Sequence, residues 1–350
     1  MIKNKKSHSY RIVYLDTMRF LAALWVFTTH FINMYRPGVF RLWTVMPFSL
    51  FLNGLTGKLA VTLFCVVLGY LAYESGQRNT NMNIFQYTIT RYIYFFSFAL
   101  FLNTLYVVVT NAGLLSLVWQ SMGVGQVIYS SIFLKGDIVG FFGILRPLFI
   151  ASLLCFINGK YKLSYKEVLV QSIVMIFIGQ TWVGIALLGN LAEILLQNEK
   201  VNAVLKKLWI QLPLIIMVFV LIKRPENNTT HLIDELCMTV VVLIFANNRW
   251  VRAVLEHKGL QKINQYYMGV YVCHVVVSVA VVTYLFGNFS SGNSRLHFLL
   301  AYVVSLVLII ILARMFEYVA QRLARIFISC LDWLLARGRV LYAELRICKQ

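Results

Sequence analysis

Long apolar windows recur along the chain and are separated by short polar segments. They fall at residues 17–36, 59–74, 92–110, 140–158, 166–180, 182–197, 207–222, 232–247, 266–287 and 297–317. A helix needs about 20 apolar residues to cross the hydrocarbon core of a bilayer, because each residue advances it by about 1.5 Å. The pattern therefore predicts an all-α polytopic membrane protein with about ten transmembrane helices.

One further apolar stretch, residues 113–134, is broken by polar and flexible positions. These are Gly113, Gln120, Gly123, Gly125 and Gln126. Irregular backbone at membrane depth is tolerated only where protein or water satisfies its polar groups, so we interpret the stretch as re-entrant or interfacial. The alternative is an eleventh crossing, which would invert the orientation of every helix that follows.

The distribution of Lys and Arg predicts the orientation in the membrane. With the N-terminus inside, most basic residues fall in segments 1–16, 75–91, 159–166, 197–206, 248–265 and the part after 317. The opposite loops hold Arg36, Arg41, Lys58, Lys135, Lys223, Arg224 and Arg295. Because cytoplasmic loops collect Lys and Arg, both termini are predicted to be cytoplasmic, in a multi-pass protein of the cell (plasma or inner) membrane. An eleventh crossing would place the later basic loops outside.

Residues 1–317 are the predicted transmembrane domain, and residues 318–350 are a predicted cytoplasmic tail. The tail mixes apolar residues with Arg322, Arg325, Arg337 and Arg339. This mixture is typical of a basic amphipathic helix that lies on the anionic inner leaflet.

The composition agrees with a membrane protein and excludes other classes. The 350 residues are 60% hydrophobic and 13% charged, and the mean hydropathy is +0.74. The formal charge of +19 does not indicate a nucleic-acid partner, because the chain offers no soluble basic domain on which a binding face would form. Six cysteines stand singly without CxxC or CxH spacing, so we expect neither disulfides nor a metal site.

The first predicted helix, within residues 11–35, is a mainly apolar segment that carries Asp16, Arg19 and His30. Arg19 and His30 are eleven positions apart, which separates them by about 20° around a helix and about 16 Å along it. Asp16 lies one turn before Arg19, within pairing distance. Ionisable groups are costly inside a membrane and usually face a bundle interior or a water-filled cavity, so this face is a candidate functional site. The structural alternative for His30 is a hydrogen-bonded packing histidine.

A second set of polar positions lies in later helices. Tyr267, Tyr271 and His274 share one face of the ninth predicted helix. Packing is the favoured interpretation of His274, and a functional role is the alternative. Arg91 begins the third helix and Glu317 ends the tenth, both toward the predicted cytoplasmic side. Both also fit the role of anchors whose charged ends reach the membrane surface.

The first helix, YLDTMRFLAALWVFTTHF, resembles the acyltransferase 3 family of integral membrane O-acyltransferases. That family begins with Leu-Asp, then Arg, then ten residues and His, and Leu15-Asp16, Arg19 and His30 match it. The segment GLQKINQYYMGVYVCH, residues 259–274, resembles a late helix of the family. The segment ARMFEYVAQRLAR, residues 313–325, resembles its closing stretch and carries Glu317 at the acidic position. The resemblance covers nearly the whole chain.

Two positions depart from the family pattern. Members often have Ser-Gly-Tyr or Ser-Gly-Phe at the end of the second helix, where this chain has Leu68-Gly69-Tyr70. They also often have two arginines three positions apart before the third helix, which are thought to contact the acyl donor. Here Arg91 stands alone, with Thr88 and Tyr94 at the flanking positions.

The resemblance implies transfer of an acyl group, most often acetyl from acetyl-CoA, to a hydroxyl of a surface glycan such as capsule, O-antigen, exopolysaccharide or peptidoglycan, or of its lipid-linked precursor. A hydroxyl that attacks a thioester needs a base, and histidine is the side chain whose ordinary pKa lies near neutrality, which suits His30. Arg19 and Arg91 supply positive charge for a CoA phosphate or an oxyanion, and Asp16 orients Arg19. His274, Tyr271 and Glu317 are further candidates.

Two other function classes compete with this interpretation. Intramembrane His, Arg and Asp also suit a transporter or flippase that moves a glycolipid or a small solute. The third possibility is a structural or assembly subunit without chemistry, for which replacing His30 would leave the phenotype intact.

Overall fold

Helices make up every regular element that the structure, a computed structural model, describes. The described residues are 13–34, 57–79, 82–113, 123–134, 143–222, 230–287 and 295–347, and no strand occurs among them. In chain order the helices are α1 (Val13–Met34), α2 (Gly57–Arg78), α3 (Ile84–Asn111), α4 (Val124–Ile132), α5 (Leu145–Lys160), α6 (Tyr165–Phe177), α7 (Thr181–Gln197), α8 (Glu199–Leu205), α9 (Leu208–Ile222), α10 (Thr230–Asn247), α11 (Arg249–Leu255), α12 (Lys258–Ile263), α13 (Tyr267–Gly287) and α14 (Arg295–Ile347). A short 3-10 turn, Asn264–Tyr266, precedes α13. The all-α prediction is confirmed.

Each predicted apolar window coincides with a helix, but fewer helices have the length and composition to cross a membrane. Four do so in the described part of the chain, and six if each of two bent helix pairs is one span. The four are Lys58–Arg78, Ile84–Asn111, Lys258–Tyr284 and Phe298–Cys330, and the pairs are α8 with α9, bent by 74°, and α10 with α11, bent by 89°. Helices α5, α6 and α7 have 16, 13 and 17 residues, which is shorter than a full crossing requires. The ten-span count stays a prediction.

The broken apolar stretch between α3 and α5 contains the short helix α4. At nine residues α4 is about 13 Å long, too short to cross the bilayer core. It packs along α3, where Asn103 Nδ2 donates to Ser131 Oγ at 3.0 Å. Residues 114–122 lie outside the described residues.

Helices α3 and α5 run antiparallel on either side of this stretch. Lys160 Nζ, at the end of α5, donates to the carbonyl of Met82, just before α3, at 2.7 Å. Further along α3, Tyr92 meets Phe149 from the first half of α5, with ring centroids 5.8 Å apart. The antiparallel course of α3 and α5 brings the end of α5 back beside the start of α3. Whether residues 113–134 are re-entrant or cross the membrane stays a prediction.

Helices α1 and α13 run parallel to each other and contact at two levels. Arg19 meets Tyr267 near their N-terminal ends, and His30 meets His274 further along both helices. Helix α14 runs the opposite way. Tyr302 near its start bonds Thr28 in the second half of α1 at 2.9 Å, whereas Ala313 further along lies against Gly269 near the start of α13. Two helices that cross a membrane in the same direction have an even number of crossings from the start of the first to the start of the second. The predicted topology has an even number of crossings from the start of α1 to the start of α13.

Glycines let the helices of the bundle approach closely. A Cβ on Gly69 of α2 would overlap the carbonyl oxygen of Ala186 on α7, and a Cβ on Gly189 of α7 would overlap the carbonyl oxygen of Val66 on α2. Helix association in a membrane relies on such close backbone packing, because lipid tails are as apolar as the side chains. Gly69, which this chain shares with the Ser-Gly-Tyr pattern, is therefore required for the close packing of α2 against α7.

Helix α14 continues without a break through residue 317, where the sequence predicted the boundary between membrane domain and tail. It has 53 residues, and the apolar part runs from Phe298 to Cys330. Arg322 and Arg325 on this helix are exposed. The two-part division of the chain stays a prediction.

Candidate functional site

Arg19 links α1 to α13 inside the bundle. Its Nη2 pairs with Asp16 one turn earlier, as the i, i+3 spacing predicts. Its Nη1 donates to the hydroxyl of Tyr267 at 2.8 Å, and its Cζ lies 3.9 Å from the centroid of that ring. Arg19 and Asp16 are 8% and 5% exposed, so the ion pair is held in a largely dry environment. The Nε of Arg19 has no hydrogen-bond partner among the described residues.

A second polar contact links α3 to α14 beside this pair. The hydroxyl of Tyr94 lies 3.1 Å from both carboxylate oxygens of the buried Glu317 and donates to them. Gln321, one turn further along α14, donates from Nε2 to Glu317 Oε2 at 3.5 Å. The charge of Arg19 acts on both Tyr94 and Glu317, so the two contacts form one electrostatic unit.

Arg91 lies one turn before Tyr94 and is half-buried. Its Cζ is 5.2 Å from the centroid of the Tyr87 ring, and its charge acts on Tyr94 and Tyr267. We name the whole group the arginine cluster. It consists of Asp16, Arg19, Arg91, Tyr94, Tyr267 and Glu317.

The turn before α13 is fastened to α1 next to the arginine cluster. Asn264 Nδ2 donates to Thr17 Oγ1 at 3.0 Å, and Thr17 Oγ1 donates to the carbonyl of Leu255 at 2.8 Å. Both side chains are buried. These bonds hold the start of α13 against α1 and so place Tyr267 beside Arg19.

His30 and His274 form a second polar group, the histidine pair. Their ring centroids are 5.3 Å apart, and the planes are inclined by 32°. His274 is buried, and its Nδ1–H donates to the carbonyl of Tyr271 at 2.5 Å. Of the two neutral tautomers of His274, this bond selects the one with the proton on Nδ1. His30 is half-buried, so it has more access to an incoming molecule than His274.

The tyrosines of α13 connect the two polar groups. Tyr267 belongs to the arginine cluster, and Tyr271 lies one turn further along, with its ring 5.8 Å from that of His274. Phe64 of α2 covers both tyrosines, at centroid distances of 5.6 and 5.4 Å. The face of α13 that carries Tyr267, Tyr271 and His274 therefore lies against α1 and α2 inside the bundle.

A cavity of about 290 Å³ opens beside the arginine cluster. Its polar lining consists of Thr90, Arg91 and Tyr94 from α3, and Gln321 and Arg325 from α14. A volume of this size holds part of a coenzyme-sized molecule but not the whole of it, since pockets for drug-sized ligands begin near about 300 Å³.

The candidates that the sequence identified lie in these two groups. Asp16, Arg19, Arg91 and Glu317 belong to the arginine cluster, and His30, Tyr271 and His274 lie at or beside the histidine pair. The sequence analysis assigned no function to Tyr94, although it lies one turn from Arg91 on the same helix face. It also gave no sign that Arg325 shares a cavity with Arg91, because that contact joins distant parts of the chain.

The fold and these groups define a helical membrane protein with ionisable side chains in its interior. A family model described as an acyltransferase domain matches residues 12–314. The match covers most of the chain, so the protein belongs to the acyltransferase 3 family, as the resemblance of its first helix predicted. No curated protein and no solved structure matches the chain.

Membership in this family makes the chain a membrane acyltransferase. Within the described ranges, no group of three or more His, Cys, Asp or Glu side chains is arranged to hold a metal ion.

Proposed function

We propose that the protein transfers an acetyl group from acetyl-CoA to a hydroxyl of a cell-surface polysaccharide or of its lipid-linked precursor. The observation that carries the proposal is that α1 and α13 carry both the histidine pair and the centre of the arginine cluster, the contact of Arg19 with Asp16 and Tyr267. The eleven positions from Arg19 to His30 separate the two groups by about 16 Å along α1. A donor whose anionic end lies far from its thioester can bind the arginine cluster with one end and place the thioester at the histidine pair with the other.

In the proposed reaction the acceptor hydroxyl attacks the thioester carbonyl while His30 takes the hydroxyl proton. The C–O bond of the new ester forms, the C–S bond of the donor breaks, and the proton passes to the departing thiolate. The products are the acetylated glycan and free coenzyme A, so the atoms and charges balance. His30 suits the role of base because it is half-buried, and so accessible to a substrate, and lies against His274 inside the bundle.

The arginine cluster supplies fixed positive charge for the donor. Arg91 lines the cavity beside α14, where a phosphate group of coenzyme A would be bound by charge-assisted hydrogen bonds. Arg19 lies deeper, and Asp16 and Tyr267 hold its guanidinium in one orientation. A cation that is oriented before the reaction stabilises developing negative charge without the cost of reorganisation.

The two substrates would reach the site from opposite sides of the membrane. In the predicted topology, Arg91 lies toward the cytoplasm and His30 toward the outer surface. The flexible arm of coenzyme A would then carry the acetyl group inward from the cavity to the histidine pair, where a surface glycan or its lipid-linked precursor brings the hydroxyl.

The direct test is acetyl transfer by the purified full-length protein in nanodiscs. Radiolabelled acetyl-CoA and a crude preparation of cell-surface polysaccharide are supplied, and the label that reaches the polysaccharide is counted. Label on the glycan together with release of free coenzyme A supports the proposal. Movement of glycolipid across the bilayer of sealed vesicles that contain the protein, without consumption of acetyl-CoA, would instead identify a flippase. A loss of surface acetylation in cells that lack the gene, measured by mass spectrometry, identifies the acceptor.

A further inference from the structure

A second cavity, of about 630 Å³, lies between the two bent helix pairs, α8 with α9 and α10 with α11. Lys206, Leu208 and Gln211 line it from the first pair, and Arg249 and Trp250 are among the residues that line it from the second. No residue of the arginine cluster or of the histidine pair borders it. We name it the surface cavity.

The bends place the surface cavity at one surface of the membrane. Helices α9 and α10 are the crossing parts of the two pairs in the predicted topology, and α8 and α11 turn away from them by 74° and 89°. A short helix at nearly a right angle to a crossing helix lies along the membrane surface. Both short helices fall in predicted cytoplasmic segments, so the surface cavity belongs to the inner leaflet.

Hydrogen bonds between the two pairs hold the wall of the surface cavity. Asn248 Nδ2 donates to Oε1 of the buried Gln211 at 2.7 Å, and Gln211 Nε2 donates to the carbonyl of Leu205 at 2.7 Å. Asn248 Oδ1 also accepts from the backbone N–H groups of Trp250 and Val251, at 3.0 and 3.1 Å. The two bends are therefore tied to each other, and the cavity is formed before a ligand arrives.

The charge around the surface cavity is positive. Its charged lining consists of Lys206, Arg249, Arg252 and Glu256. Arg252 and Glu256 pair with each other at 3.4 Å, and Arg252 also lies over the ring of Tyr14, with Cζ 4.7 Å from its centroid. Lys206 and Arg249 are exposed and form no ion pair with any residue in the described ranges. Two cations without a counter-ion at one concave surface favour an anionic ligand.

Apolar surface beside these charges indicates that the anion belongs to an amphiphile. Trp250 and Leu208 line the cavity and are 83% and 69% exposed. From Leu208 the exposed apolar surface continues along α9 through Leu212 and Ile216, which follow at i, i+4 spacing. This row leads from the cavity along the crossing helix, as an acyl chain would. Tryptophan is common where headgroups meet acyl chains, which is the place of Trp250.

We propose that the surface cavity binds the headgroup phosphate of an anionic phospholipid, with one acyl chain along Leu212 and Ile216 of α9. Lys206 and Arg249 bind the phosphate through charge-assisted hydrogen bonds. A zwitterionic phospholipid brings a cation of its own to the same place, so the cavity favours a lipid with net negative charge. The inference does not depend on the proposed acetyl transfer.

The experiment measures phospholipid binding to the purified full-length protein by native mass spectrometry. Dioleoyl phosphatidylglycerol and dioleoyl phosphatidylcholine are titrated separately into the detergent-solubilised protein, and the dissociation constant of the first bound lipid is determined for each. We expect phosphatidylglycerol to bind more tightly by about fivefold or more. Lys206→Gln and Arg249→Gln should each weaken its binding about fivefold, the contribution typical of one basic residue near anionic lipid, and change phosphatidylcholine binding little.

Lys200 provides the matched control, since it is an exposed lysine of α8 that does not line the cavity. Lys200→Gln removes the same charge from the same short helix and should change the affinity for phosphatidylglycerol less than about twofold. Lys206→Arg keeps the charge and should keep the affinity. Melting temperatures of the same samples without added lipid identify any variant that has unfolded.

Three results would overturn the inference. Equal affinity of the wild-type protein for the two lipids would exclude a site for an anionic headgroup. Equal losses in Lys200→Gln and Lys206→Gln would mean that the basic surface attracts anionic lipid without a defined site. Binding of glycerol 3-phosphate, which has no acyl chains, as tightly as phosphatidylglycerol would mean that the cavity takes a soluble phosphate compound instead of a lipid.

Discussion

Arg19 and Tyr267 contact each other in two ways, although 248 positions separate them in the sequence. The guanidinium donates a hydrogen bond to the phenolic oxygen, and its Cζ also lies over the ring at 3.9 Å. The contact joins α1, which carries Asp16 and His30, to α13, which carries Tyr271 and His274. The geometry of the whole candidate site therefore depends on how these two helices are held together.

Substitutions of Tyr267 separate the two parts of this contact. Tyr267→Phe removes the hydrogen bond to Arg19 and keeps the ring, so we expect a loss of about tenfold in turnover, as for one hydrogen bond to a charged group. Tyr267→Ala also removes the ring and should lose more, together with thermal stability. Tyr284→Phe, an exposed tyrosine of the same helix, is the control and should behave as wild type. Equal turnover in Tyr267→Phe and wild type would mean that Asp16 alone orients Arg19.

Local patterns were sufficient to predict the helices and the polar face of α1. Hydrophobic windows mark helices directly, and the spacing of Asp16, Arg19 and His30 determines which side of a helix they share. The Asp16–Arg19 pair forms as the spacing predicts, and Arg19 and His30 both face α13. The Asp16–Arg19 pair and the shared face of Arg19 and His30 depend only on residues within a few turns of one helix.

Features that depend on distant contacts were not predicted. The convergence of Arg91 and Arg325 on one cavity, and the contact of His30 with His274, follow from how α3, α13 and α14 pack. The unbroken course of α14 past residue 317 was missed because its charged residues resemble those of a separate surface helix. The bends between α8 and α9 and between α10 and α11 also depend on tertiary packing.

The topology can be tested with reporter fusions. Fusions after Asn81, Gly159 and Lys258 should all report a cytoplasmic location, since basic loops remain inside. The bond between Lys160 and Met82 independently puts the end of α5 beside the start of α3. Activity of an extracytoplasmic reporter after Gly159 and Lys258 would mean that residues 113–134 cross the membrane.

Gly69 tests the close packing of α2 against α7. Gly69→Val forces branched atoms into the backbone of Ala186, so we expect a destabilisation of at least about 1–3 kcal/mol, as for overpacking of a tight core. The readout is the melting temperature of the detergent-solubilised protein. Gly125→Ala in α4 is the control, because its Cβ would meet no atom within 4 Å. A normal melting temperature for Gly69→Val would show that the two helices can separate without cost.

Arg91 is expected to act on the donor rather than on the acceptor. Arg91→Ala should raise the KM for acetyl-CoA and change the KM for the glycan little, because it removes a charge used in binding the donor. Steady-state kinetics with each substrate varied in turn supply the two values. Unchanged kinetics in the variant would reassign Arg91 to anchoring the end of α3 at the membrane surface.

His30 is expected to be the general base, with Arg19 as its electrostatic partner. Removing a positioned general base typically costs about a hundredfold to ten-thousandfold in rate, whereas removing a packing histidine lowers stability and protein level. His30→Ala should therefore leave a normally inserted protein that no longer acetylates, and Arg19→Ala should behave alike. Turnover and protein level are measured on the same membranes. A His30→Ala protein that keeps more than about a tenth of wild-type turnover would rule out the assignment.

Substitution of His274 tests whether it only packs against the proposed base, His30, since the two rings lie 5.3 Å apart. If His274 only packs, His274→Ala should lower the melting temperature and reduce turnover less than His30→Ala does. The double variant should then have the turnover of His30→Ala alone, since the base is already absent. A double variant that is clearly slower than His30→Ala would show that His274 still acts on the reaction when His30 is gone. In that case either histidine of the pair can take the proton, and the half-buried His30 is only the more accessible of the two.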